Sequence, residues 1–182
     1  MKRIFYVFIL LLFAGTISVS AQTTEMDPND PDVIYTSTNY PPDPSGPNYD
    51  KVKKWGHANV LSWNPYSYGY KSYIFRGLAF RLKFPKSYQP GVNDGKKYPV
   101  YIFLHGLGEP GPTWNNEKSL LWGAQLHAQA ANNGDFDGFI IYPQAQSPGW
   151  FQGYVDRIVA LVGKLKAEVK ADEDRVIIAG LS

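Results

Sequence analysis

Three short apolar runs, at residues 100–104, 139–142 and 175–179, are separated by two stretches of helical period, and this alternation constrains the chain most. Each run is dominated by β-branched, aliphatic and aromatic residues, the pattern of a strand covered on both faces. Between the first two, Leu120, Leu121, Ala124, Ala128 and Ala131 recur at near-helical spacing, and Asn132-Asn133-Gly134 closes the helix. Between the second and third, Val155, Ile158, Val159, Val162, Leu165 and Val169 form an apolar stripe. Lys164, Lys166, Glu168 and Lys170 fall mainly on the opposite face. Strand, helix, strand, helix, strand implies right-handed crossovers, hence an α/β fold with a mostly parallel sheet and flanking helices. Upstream, Leu78, Phe80, Leu82 and Phe84 alternate with Ala79, Arg81 and Lys83, which predicts a half-buried antiparallel strand ended by Pro85.

The start of the chain reads differently. Lys2 and Arg3 precede an apolar run over residues 4–14, and Val19-Ser20-Ala21 offers the small residues of a cleavage site. Residues 1–21 are therefore expected to be a signal peptide, too short in its apolar part to span a bilayer, which takes about 20 residues. The mature protein is expected to be secreted or periplasmic. Residues 22–74 read as an extended leader rich in Pro and aromatic residues, with Trp55, Trp63, Tyr66, Tyr68, Tyr70 and Tyr73 crowded together. That cluster predicts a loop or strand covering one side of the domain, or an aromatic surface that stacks on sugars. Residues 75–182 form the α/β unit.

The sequence holds no cysteine, so no disulfide, thiolate metal site or thiol nucleophile is available to it. Once Lys2 and Arg3 leave with the signal, the remaining Lys and Arg balance the Asp and Glu. Nucleic acids and anionic membranes select clustered positive charge, and neither is expected as a partner.

Chemistry concentrates where two strands end. The run at 175–179 leads directly into Gly180-Leu181-Ser182. Gly-x-Ser after a buried strand is the first half of a nucleophile elbow, a sharp turn that lifts a serine hydroxyl above the sheet. The run at 100–104 leads into His105-Gly106-Leu107-Gly108-Glu109. A loop in that position supplies a backbone N–H to an oxyanion hole, here from Leu107. Gly106 and Gly108 are expected to let the backbone turn tightly and approach a substrate. His105 and Gly180 read as structural parts of the site. No metal or organic cofactor is called for.

These blocks, in order, resemble secreted esterases of the polyhydroxybutyrate-depolymerase and feruloyl or acetylxylan esterase kind, members of the α/β-hydrolase fold. The resemblance rests on Phe80 to Pro85 with Lys96-Lys97-Tyr98-Pro99, on Leu104 to Glu109, and on Ile140 to Gln144 with Trp150. It ends with the stretch from Asp172 to Ser182. It implies the N-terminal part of that fold, Ser182 as nucleophile and the Leu107 amide as oxyanion donor. It also implies an acid and then a histidine after Ser182, where this sequence stops. His57 and His127 lie outside that order. The 182 residues alone are thus expected to lack turnover. The substrate implied is a small-molecule or polysaccharide ester. A peptidase on the same fold and an exported carbohydrate-binding module are the alternative readings.

Overall fold

Six strands make one sheet in the order β1-β2-β3-β5-β4-β6. The strands are β1 (Lys53–Lys54), β2 (Tyr70–Phe75), β3 (Leu78–Lys83), β4 (Tyr98–Leu104), β5 (Phe139–Gln144) and β6 (Ala171–Gly180). Helix α1 (Ala124–Asn133) connects β4 to β5, and α2 (Gln152–Val169) connects β5 to β6. The structure, a computed structural model, describes residues 25–39, 42, 46, 49–56 and 60–181. The expected signal peptide at 1–21, His57 and Ser182 lie outside the described residues.

The sheet is mixed. Strands β1, β2, β3 and β5 pair antiparallel, whereas β4 pairs parallel with both β5 and β6. The fold is α/β, with the strand order and directions expected of the N-terminal part of an α/β-hydrolase sheet. Side-chain alternation sets the layers. Val100 and Ile102 of β4, with Phe139 and Ile141 of β5, enter one core against Ile158, Leu161, Leu165 and Val169 of α2. On the other face Ile140 and Tyr142, with Tyr101 and Phe103 beside them, meet Ala124, Ala128 and Ala131 of α1. Both strands are therefore covered on both faces, as their unbroken apolar runs require. The two crossovers run in opposite directions along the sheet, which places the helices on opposite faces. The sheet's topological switch therefore falls at the carboxyl ends of β4 and β5, where open α/β sheets bind ligands.

Several details differ from expectation. Helix α1 begins at Ala124 because Gly123 takes a left-handed φ of 76°, leaving Leu120 in a preceding 3₁₀ turn and Leu121 exposed. The buried stripe of α2 runs Ile158, Leu161, Leu165, Val169, while Val155 and Val159 face outward. Residues 175–179 were expected to be buried on both faces. Instead Ile177 and Ile178 are exposed, because β6 pairs only with β4 among the described residues. Residues 70–74, assigned to the leader, belong to a hairpin with β3. The leader itself packs: Met26 is fully buried, Tyr73 bonds Asp27 O and Asp30 Oδ2, and Lys71 Nζ donates to Asp30 O. Those contacts span more than forty residues of chain, so no local period announces them. Trp55, Tyr70 and Tyr73 are buried too, leaving only part of the aromatic cluster open to a sugar.

Candidate active site

Strand β4 ends at Leu104, and the next five residues form a turn closed by the Glu109 N–H on Gly106 O at 3.3 Å. His105 is buried beneath it. Its Nε2 accepts the Ala145 N–H at 2.9 Å, so the proton sits on Nδ1, which donates to Gly106 O at 2.9 Å. Burial holds this imidazole below its ordinary 6.5, in keeping with the neutral tautomer that both bonds need. Trp150 lies against the ring, with centroids 4.9 Å apart, and donates its indole N–H to His105 O. With both ring nitrogens engaged, His105 ties the loop to the end of β5, the structural role its sequence position suggested.

Gln144, the last residue of β5, is the second anchor. Its Oε1 accepts the buried Ser119 N–H at 2.8 Å, and its Nε2 donates to Glu109 O at 2.8 Å and Ala145 O at 3.0 Å. Ala145 O also accepts the Gly111 N–H. One side chain thus joins three segments: the loop after β4, the 3₁₀ turn Lys118–Leu120, and the end of β5. Sequence reasoning passed over Gln144 as a site residue, although a glutamine closing an otherwise apolar strand was the available signal.

The turn leaves its tip bare. Leu107 is 70% exposed, and neither its N–H nor that of Gly108 donates to any acceptor among the described residues. Gly108 was expected to ease a tight turn. It has no left-handed φ, and an added Cβ would touch nothing within 4 Å, so the backbone does not require glycine there. What glycine preserves at 108 is open space above the amides. Gly180 differs: a Cβ would lie 3.2 Å from Leu104 O and 3.3 Å from Leu104 Cβ. Its bare Cα lets β6 run close to β4, and the Leu181 N–H then bonds Leu104 O at 3.0 Å. The chain is thereby delivered to position 182 beside the first residue of the loop.

His127 lies elsewhere. It projects from α1 onto the sheet, its Nδ1 bonded to the Tyr142 hydroxyl and its ring 5.0 Å from Tyr101 and 5.4 Å from Phe103. Burial lowers its pKa as well. Beside it, Tyr101, Phe136, Ile140 and Ile177 help line an apolar cavity of about 240 Å³. No cluster of three metal-ligating side chains occurs among the described residues. No helix among them is long and apolar enough to cross a membrane.

No protein-family model and no curated protein matches the chain. Among solved structures it is similar to a thermostable esterase, at 29% identity and a TM-score of 0.41, over 58% of this chain and 30% of that one. A ferulic acid esterase aligns at 26% identity and a TM-score of 0.41, over 58% and 44%. A ferulic acid esterase from Anaeromyces mucronatus aligns at 16% identity and a TM-score of 0.36, over 72% and 48%. The chain spans less than half the length of each of these proteins.

Proposed function

We propose that this chain carries the nucleophile and half the oxyanion hole of a secreted serine esterase acting on carboxylic esters. The observation that carries the reading is the pairing of two strand ends. The unbonded amides of Leu107 and Gly108 stand at the end of β4, and the Leu181–Leu104 hydrogen bond brings the residue before Ser182 alongside. Gly180-Leu181-Ser182 supplies the elbow sequence, and Lys2, Arg3 and the apolar run after them support export.

The chemistry is acyl transfer. The Ser182 hydroxyl attacks the ester carbonyl while its proton passes to a histidine that the resemblance places later in the natural polypeptide. The Leu107 N–H and the amide of the residue after Ser182 receive the oxyanion, a contribution of about 10²–10³ in rate for each such donor. Collapse of the intermediate expels the alcohol, protonated by the same histidine, and leaves an acyl ester on Ser182. Water activated by that histidine then attacks the acyl carbon, releases the acid and restores the serine. His105 takes no proton in this cycle, because both its nitrogens are bonded. The 182 residues by themselves hold no base after Ser182, so this polypeptide alone is expected to turn over no ester.

The test is covalent. The protein expressed from its natural reading frame is treated with phenylmethylsulfonyl fluoride, digested, and its peptides weighed. The sulfonyl group is expected on the peptide containing Ser182, with ester hydrolysis lost in proportion to labelling. Inactivation with the label elsewhere, or hydrolysis that survives full labelling, would remove Ser182 from the role.

A further inference from the structure

Resting on the esterase reading, we propose that Trp122 is a specificity-determining wall of the ester site, and that its open face takes an aromatic ring carried by the ester. Trp122 is 58% exposed, unusual for so large an apolar side chain, and no aromatic ring among the described residues packs on it. Yet it is held. Its indole N–H donates to Glu109 Oε1 at 3.0 Å, a charge-assisted bond that fixes the ring by its edge and leaves the face open.

Glu109 is itself 7% exposed, and its Oε2 is buried with no partner, so the indole N–H is its one side-chain hydrogen bond among the described residues. The residue that holds the indole also closes the turn carrying Leu107. Trp122 therefore stands one side chain away from the unbonded amides at the tip of that turn.

The surroundings select the ligand. Leu107 and Leu121 are exposed beside this ring in the fold, and both are apolar. The polar groups nearby are already committed: His105 through both nitrogens, Gln144 through its oxygen and nitrogen, and Glu109 Oε1 to the indole. A sugar face would bring hydroxyl groups that find few partners here. A planar apolar ring needs none, and stacking on an indole face stabilises it. The ring is carried either by the acid or by the alcohol of the ester, since both lie beside the oxyanion.

The experiment reads binding directly. The protein from its natural reading frame, with Ser182→Ala to prevent turnover, is labelled with 5-fluorotryptophan. Its five tryptophans give five fluorine resonances, and Trp122→Phe identifies one of them. Methyl benzoate and phenyl acetate, which carry the ring on the acid and the alcohol side respectively, are titrated in. Methyl cyclohexanecarboxylate and methyl β-D-xyloside serve as comparisons. At least one aromatic ester is expected to shift the Trp122 resonance saturably, binding about fivefold tighter than the saturated ring. Glu109→Ala, which frees the indole edge, is expected to weaken that binding. A Trp122 signal unmoved by both aromatic esters, moved equally by the saturated ring, or moved only by the xyloside would overturn the proposal. Ester turnover before and after Ser182→Ala is measured separately. If the ring binds but turnover does not depend on Ser182, the esterase reading fails while the ring site stands.

Discussion

Replacing Gln144 by leucine should unfasten the loop that carries Leu107, and the size of the effect follows from the hydrogen bonds. Leucine nearly matches glutamine in size but offers neither donor nor acceptor. Of the three bonds lost, that to Ala145 O is covered by the Gly111 N–H, which still donates there. The other two are not. The buried Ser119 N–H loses its acceptor and Glu109 O loses its donor. Each unsatisfied buried group costs about 1–3 kcal/mol, and the added apolar contact offsets part of this, so a net loss of about 2–4 kcal/mol is expected. In urea, with a slope near 2 kcal/mol/M for a protein of this size, the unfolding midpoint should fall by about 1–2 M. The assay is equilibrium unfolding of the natural polypeptide followed by tryptophan fluorescence, with Gln152→Leu as control. Gln152 is exposed and bonds only Asp156, so its replacement should move the midpoint little. A Gln144→Leu shift as small as the control's would refute the reasoning that this side chain pins three segments together.

Other expectations follow from single contacts. His105 has a lowered pKa, so the unfolded chain binds a proton more readily than the folded one. Its contribution is present above about pH 6.5 and is lost as pH falls through the folded value. Stability should therefore decline between pH 7 and pH 5, and His105→Gln should flatten part of that slope, the rest belonging to His127. An unchanged slope in the variant would count against the neutral, buried imidazole. Met26→Ala should cost about 2–4 kcal/mol by calorimetry, because the side chain is fully buried among Val52, Tyr73 and their neighbours. A negligible cost would return residues 25–39 to the status of a loose leader. Gly180→Ala, whose methyl would press on Leu104, should cost about 1–2 kcal/mol and lower turnover together. A variant with native stability and rate would show that the close approach of β6 to β4 is dispensable.

The layered core was legible in the sequence because its cause is local. Val100 to Leu104 and Phe139 to Tyr142 are apolar at every position, and only a strand covered on both faces uses such a run. The ends of α1 and α2 were legible for similar reasons, Gly134 taking the left-handed cap that its place after Asn133 suggested. The antiparallel half of the sheet was harder to read. Tyr70 and Tyr73 look like members of an aromatic loop until β3 pairs with them, and Met26 has no neighbours in sequence that explain its burial. At the site, His105, Gly106, Leu107 and Gly180 could be marked from strand-end motifs. Gln144, Glu109 and Trp122 could not, because each acts through a partner 13 to 35 residues away in the chain. Such pairings depend on the crossover through α1, and sequence spacing alone does not reveal them.

Comparing Ser182 with Ser182→Ala tests the account most directly. The two proteins, expressed from the natural reading frame, would be compared for steady-state hydrolysis of p-nitrophenyl acetate. Loss of kcat by at least about 10³-fold with an unchanged unfolding midpoint is the expected result. Hydrolysis that persists undiminished in Ser182→Ala, or its absence from the unaltered natural protein, would contradict the assignment of this chain to serine ester hydrolysis.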